Sequence, residues 1–188
     1  MSNSRKKITI IIILVLVILA ASVLTMYNIV RRIYPLEYMD FIGKYSDQYD
    51  LDPYMVMAVI RVESRFRPEA VSHKDARGLM QITKGTGEWA ARKLQLDDYN
   101  EDKLFDPETN IRIGCWYLNT LLLEFGNTDL MLAAYNGGSG NVAKWLMDTN
   151  YSKDGRNLDK IPFKETDKYI TKVKDSYTIY KKLYGNPF

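Results

Sequence analysis

An uncharged, strongly apolar run from Ile8 to Val30, with Arg5, Lys6 and Lys7 before it and Arg31 and Arg32 after it, constrains this chain more than any other feature. At about 1.5 Å per residue its 23 positions are just long enough to cross ~30 Å of hydrocarbon. The run reads as a membrane-spanning helix. A cleaved signal peptide is the rival reading, because Ala20 and Ser22 are small residues suited to a cleavage site, but the apolar sequence continues past them to Val30. With three basic residues on one side and two on the other, the flanking charge does not decide the orientation.

The formal charge of +3 belongs to the amino-terminal end: of the 26 basic residues, Arg5, Lys6 and Lys7 precede the span, leaving 23 against 23 acidic ones. A neutral remainder argues against a nucleic-acid partner, which asks for a clustered basic excess. The single cysteine, Cys115, rules out an internal disulfide, and the single histidine, His73, has no Cys or His at ligand spacing, so no transition-metal site is expected. The acidic stretch Asp97, Asp98, Glu101, Asp102 and Asp106 lacks the glycine and terminal glutamate of a calcium loop and reads as a solvated helix end.

Residues 31–188 suit one domain, and their periodicity is helical almost throughout. Asp52-Pro53 opens a helix that Pro68 bounds. Tyr38, Phe41, Ile42, Tyr45 and Tyr49 mark another; Ile111, Cys115, Leu118, Leu121, Leu122 and Phe125 a third, opening near Asp106-Pro107 and closing at Gly126. Further helices are predicted from about Asp129 to Tyr135 and through Tyr169, Val173, Tyr177, Tyr180 and Tyr184. No period-2 strand stands out. The fold class is mainly α, with the glycines assigned to loops.

Within the Asp52-Pro53 helix, Val56, Val59 and Ile60 precede Glu63 by seven, four and three residues, which puts a carboxylate on an apolar stripe. Burial and the negative end of the helix dipole both raise a carboxyl pKa, as a proton donor requires. Two readings are open from this residue alone: a catalytic acid, or a structural glutamate paired with Arg61, Arg65 or Arg67.

Five blocks follow in order: Glu63-Ser64-x-Phe66-x-Pro68-x-Ala70-x-Ser72, Gly78-Leu79-Met80-Gln81-Ile82, Asp106-Pro107-x-x-Asn110-Ile111, Ala134-Tyr135-Asn136-Gly137-Gly138, and Pro162-x-x-Glu165-Thr166 with Tyr169. Together they resemble the lytic transglycosylases related to goose-type lysozyme, over most of residues 36–180. The resemblance implies a lysozyme-like α-helical domain and a substrate, the glycan strand of peptidoglycan, cut between N-acetylmuramic acid and N-acetylglucosamine with a 1,6-anhydro end as product. It implies no cofactor and no metal. It also implies an organisation of 1–7 as a short cytoplasmic tail, 8–30 as a signal-anchor helix and 31–188 as the catalytic domain, on a single-pass protein whose partners are the bilayer and, outside the cytoplasm, the cell wall.

By position, the resemblance makes Glu63 the sole catalytic acid, with Ser72, Met80, Gln81, Tyr135, Asn136, Glu165 and Tyr169 around the substrate. Structural roles stand beside these: Met80 and Ile82 as core, Ser72 as a turn or capping residue, Tyr169 as part of the last helix's apolar stripe. Tyr135 and Trp145 are candidates for stacking on sugars, with core packing an equal reading for Trp145. Asp75 stands where the family has glycine, which predicts a left-handed backbone there, and Gly137 replaces a usual alanine. Gly137, Gly138 and Gly140 lack the Lys-Ser or Lys-Thr pair of a phosphate loop. The alternatives of function are a hydrolytic muramidase of the same fold and a non-catalytic peptidoglycan-binding scaffold in an envelope complex.

Overall fold

The computed structural model describes residues 3–185, with side chains from Lys7 onward. Met1 and Ser2 of the expected 1–7 tail, and the last three residues of the expected 31–188 domain, lie outside the described residues. The chain separates into two units, Met1–Leu36 and Glu37–Phe188.

The first unit is α1 (Asn3–Ile33), a longer helix than the apolar run alone predicts because Arg31 and Arg32 continue it. Within Lys7–Ile33 an 18-residue stretch has a mean hydropathy of 3.1 and none of it is buried. A helix of that length and composition is able to cross a membrane.

The second unit holds α2 (Met39–Gln48), α3 (Pro53–Glu63), α4 (Lys84–Leu94), a short 3-10 turn (Glu101–Phe105), α5 (Pro107–Phe125), α6 (Thr128–Gly137), α7 (Ser139–Met147) and α8 (Lys164–Tyr184). Among the described residues the only β pairing is two isolated bridges, Val71 with Arg77 and Arg77 with Ile82, so the mainly α expectation holds.

Helix α3 is the axis of the domain. It packs along α8 and α2, while α5 packs against α2, α4 and α6. Val56, Met57, Ala58, Val59 and Ile60 are all fully buried, a continuous run rather than a stripe, because neighbours surround the helix. Its start is fixed by the Asp52 carboxylate, which accepts from the Tyr54 amide at 2.9 Å, with Pro53 already in helical φ. The same carboxylate accepts from the Tyr177 hydroxyl at 2.8 Å, which locks the α3 amino terminus to α8. Helix α5 starts in the same way, at Asp106-Pro107, and ends at Gly126, whose φ of 76° terminates it.

Two sequence readings are corrected here. The glycines do not collect in loops: Gly85 and Gly87 lie inside α4, Gly114 inside α5 and Gly140 inside α7. Gly114 is there because the Met80 side chain occupies the space of a Cβ, which lets α5 approach the loop before α4. The acidic stretch from Asp97 is a helix end only at Asp106, which caps α5; α4 stops at Leu94, and Asp97 to Asp102 lie in a turn and the 3-10 segment, where Glu101 and Asp102 hold Arg77 at 3.0 and 3.5 Å.

Candidate active site

Glu63 is the last residue of α3, and the chain turns sharply after it. Ser64 caps the helix through its amide to Ile60 O at 3.0 Å and is itself buried. Arg65 and Phe66 then both adopt positive φ, 55° and 62°, an arrangement that costs each non-glycine residue about 1 kcal/mol or more. The buried Phe66 ring and the Arg67 guanidinium, which donates to Ser64 O at 3.1 Å, hold the turn in place. The carboxyl is thus carried on a rigid helix end, with the following chain bent away from it.

The Glu63 side chain keeps part of its surface open to solvent while surrounding protein strips most of its hydration. That desolvation raises its pKa to about 7, with the negative charge of Glu165 adding to the rise and the Tyr169 hydroxyl working against it. Among the described residues no ion pair involves Glu63, so pairing with a neighbouring arginine does not describe it. The Tyr169 hydroxyl faces the carboxyl without a complete hydrogen bond and is otherwise a buried polar atom with no partner. An unpartnered donor beside a carboxyl of near-neutral pKa is poised to stabilise the anion when it forms. The phenols of Tyr135 and Tyr169 are both held well above their ordinary pKa, first by burial and then by Glu63, so both remain neutral donors.

The loop from Ala70 to Ile82, whose Met80 carbonyl accepts from the Tyr135 hydroxyl, is tied together by hydrogen bonds. Ser72 Oγ accepts from the amides of Lys74 and Ala76 at 3.2 and 3.1 Å, so it does form a turn, and its hydroxyl proton remains free to donate. Asp75 has a φ of 59°, the left-handed conformation predicted for it, and Gln81 follows with 50°. Gln81 donates its amide to Ala70 O at 3.0 Å and Gly78 O at 2.9 Å, leaving its side-chain oxygen as an acceptor. Gly78, at φ 75°, lies against Leu104 O and the Asn110 amide, where no Cβ fits.

Asn110 is the residue that sequence reasoning passed over, though it stands in one of the quoted blocks. It is fully buried on α5 and uses its whole amide: Oδ1 accepts from Met80 N at 2.7 Å, and Nδ2 donates to Arg77 O at 3.0 Å and Leu104 O at 2.7 Å. One side chain therefore fastens the Arg77–Met80 loop to the 3-10 turn and α5. The signal in the sequence was a polar residue directly before the Ile111 stripe.

Met80 was expected among the substrate-facing residues, but its side chain is fully buried against Gly114. Its contribution lies in the backbone, where Met80 O accepts from the Tyr135 hydroxyl at 2.8 Å. Tyr135 thereby joins α6 to the loop while its ring stays partly exposed. Asn136 accepts from the Thr166 hydroxyl at 2.8 Å, bringing the end of α6 to the start of α8, where Glu165 is exposed and Tyr169 is buried. Trp145 is nearly buried and meets the exposed Phe163 edge-on at 4.9 Å, so core packing dominates its role. Burial also pushes the Cys115 thiol far up, which makes it inert.

This arrangement can transfer a proton in either direction at one carboxyl, with the neutral phenols of Tyr135 and Tyr169 near it. Comparison with known proteins agrees with the resemblance noted above. The family described as the transglycosylase SLT domain matches residues 40–158. The soluble lytic murein transglycosylase of Salmonella typhimurium is 36% identical over 155 residues, 81% of this chain and 24% of that protein. The membrane-bound lytic murein transglycosylase C of Edwardsiella ictaluri is 36% identical over 118 residues, 57% of this chain and 33% of that protein. Among solved structures, the 70 kDa soluble lytic transglycosylase Slt70 of Escherichia coli superposes with a TM-score of 0.72 at 32% identity, covering 81% of this chain and 25% of that one. The chain thus spans about a quarter to a third of the length of these relatives. With a matched domain that takes in Glu63, the Gly78–Ile82 loop and the Tyr135 block, and with the fold of Slt70, the chain belongs to the transglycosylase SLT family.

Proposed function

We propose that this protein is a membrane-anchored lytic transglycosylase that cleaves the MurNAc–GlcNAc β-1,4 bond of peptidoglycan without water, leaving a 1,6-anhydro-MurNAc end. The observation that carries the reading is Glu63: an unpaired carboxyl at a helix end with a pKa of about 7, which is half protonated at neutral pH and serves equally as acid and base. In the first half of the reaction Glu63 gives its proton to the glycosidic oxygen as the C1–O4 bond breaks. The carbonyl oxygen of the muramic N-acetyl group shares the positive charge at C1, as in substrate-assisted glycosidases. In the second half the Glu63 carboxylate takes the proton of the sugar's C6 hydroxyl, whose oxygen bonds to C1. The carboxyl returns to its starting state and no water is consumed.

The free hydroxyl proton of Ser72, the unused side-chain oxygen of Gln81, the amide nitrogen of Asn136 and the Tyr169 hydroxyl suit the N-acetyl and hydroxyl groups of such a substrate. In this reading Tyr135 packs on a sugar face and the Met80 backbone fixes it. The long apolar α1 and the relationship to membrane-bound transglycosylase C support a single-pass anchor, with the amino terminus inside and residues 31–188 facing the wall.

One feature favours a second reading. Glu165 is close enough to act on Glu63 electrostatically, and a second carboxylate is what a hydrolytic muramidase needs to activate water. Glu63→Gln is expected to fold normally, bind peptidoglycan and release no fragments; substantial release by this variant overturns the assignment, and binding without release by the unmodified protein identifies a scaffold.

A further inference from the structure

Four aromatic rings run in an unbroken row away from the Glu63 site. Tyr135, which lies within electrostatic range of Glu63, meets Tyr117 with ring centroids 5.4 Å apart; Tyr117 meets Trp89 at 6.1 Å, and Trp89 meets Trp116 at 4.7 Å. The row crosses three helices, α6, α5 and α4. Each of the four residues is partly exposed, unlike the aliphatic side chains behind them such as Leu104, Ile113 and Leu118, which are fully buried.

The polar tips of the outer three rings distinguish this row from core packing. Among the described residues neither indole N–H nor the Tyr117 hydroxyl has a protein hydrogen-bond partner, and none of the three is a buried unsatisfied atom. They therefore reach solvent. Rings that present an apolar body and a wet donor suit a ligand with the same alternation, unlike Tyr49, Tyr99 and Tyr169, whose hydroxyls are closed off from solvent. A pyranose has that character, with axial C–H groups on its faces and hydroxyl or acetamido groups around its rim.

The backbone holds the row rigidly. Trp116 and Tyr117 follow Gly114 on α5, where the missing Cβ admits the Met80 side chain, and Met80 O fixes the Tyr135 hydroxyl at the other end. Trp89 is carried by α4, whose start is capped by Thr83 Oγ1 and which packs against α5. Loss of one outer ring therefore removes ligand contact without uncoupling the carboxyl, since none of the hydrogen bonds around Glu63 passes through Trp89 or Trp116.

The geometry points to Trp89, Trp116 and Tyr117 as a distal saccharide subsite, which extends the glycan-binding surface beyond Tyr135 and holds additional units of a β-1,4-linked N-acetylhexosamine strand. This rests on the glycan reading of the Glu63 site, but concerns chain-length dependence of binding rather than the chemistry.

The test uses the full chain in detergent micelles, carrying Glu63→Gln so that nothing is turned over, and chito-oligosaccharides of two to six units as probes. Calorimetric affinity is expected to tighten with oligosaccharide length. Trp89→Ala and Trp116→Ala are each expected to weaken the hexasaccharide by about threefold to tenfold, leave the disaccharide unaffected, and be largely rescued by Trp89→Phe and Trp116→Phe. Indole fluorescence should respond to the hexasaccharide and not to the disaccharide. Equal affinity of the alanine variants for the hexasaccharide, equal weakening at every length, or no gain with length in the parent would each overturn the subsite. Because binding is read without cleavage, a result of that kind beside normal release of anhydro fragments by the Glu63 protein refutes the subsite alone. Failure to bind at any length removes the glycan reading as well.

Discussion

The pKa of Glu63 makes a stability prediction that does not involve a substrate. The carboxyl ionises at about 7 in the folded domain against a reference value of 4.5, and each pKa unit of difference is worth about 1.4 kcal/mol, which gives about 3 kcal/mol in all. The sign follows from which state binds the proton more tightly. Below 4.5 both states are protonated and the folded domain carries no penalty. Between 4.5 and 7 the unfolded chain ionises while Glu63 in the folded domain does not, so stability falls as pH rises. Above 7 the penalty is complete and constant.

Glu63→Gln replaces the protonated acid by a neutral group of the same shape and removes the titration. The variant should match the unmodified protein at pH 4 and exceed it by about 3 kcal/mol at pH 8. For a domain of this size that corresponds to roughly 6–12 °C in the unfolding midpoint. Thermal or urea unfolding of the full chain in detergent, followed by circular dichroism from pH 4 to 9, measures the gap. A partial version comes from Glu165→Gln, which removes the charge that adds to the rise and should narrow the gap. A variant no more stable than the parent at pH 8, or a gap independent of pH, would refute the account of burial as the cause of the shift.

Three other expectations can be checked directly. Asn110→Ala strands Met80 N, Arg77 O and Leu104 O, and should cost about 3–5 kcal/mol in urea unfolding along with cleavage activity. Tyr169→Phe removes a hydroxyl that holds the Glu63 pKa down and has no complete partner of its own. It should change stability by less than about 1 kcal/mol while moving the alkaline limb of the cleavage pH profile upward, because an acid is active only while protonated. If α1 is an uncleaved anchor, the mature protein begins at its own amino terminus, and protease added outside intact spheroplasts removes residues 31–188. Shortening by a leader, or protection of the domain, refutes that topology.

The parts of the fold legible in the sequence are those whose ends carry their own chemistry. Asp52-Pro53 and Asp106-Pro107 announce α3 and α5 because a capping carboxylate and a proline act locally, whatever the rest of the chain does. Helices α4 and α7 were not predicted. Gly85 and Gly87 dilute the periodicity of α4, and Gly87 is a close-approach glycine whose reason is the Tyr99 side chain beside it, invisible in linear order. The nine-residue α7 follows Gly138, whose φ of 87° reads as loop. At the site, a carboxylate on an apolar stripe made Glu63 a candidate and left two readings open, because solvation penalties are written in composition while the partners of a side chain are not. Asn110 escaped notice, since its role depends on backbone groups up to 33 residues away in sequence. Met80 carried two readings, around the substrate by the resemblance and in the core by its apolar side chain, and its side chain is core: which side of a hydrogen-bonded loop faces inward is set by Asn110, Gly78 and Gly114 together.

The central claim is that Glu63 works alone, as acid and then as base, with the substrate's own C6 hydroxyl in place of water. Mass spectrometry of the fragments released from purified peptidoglycan by the full chain tests it directly. The account predicts muramic ends one water lighter than a reducing sugar, and no fragments from Glu63→Gln. Reducing ends that take up heavy oxygen from labelled water, or anhydro ends still released by the glutamine variant, would contradict it.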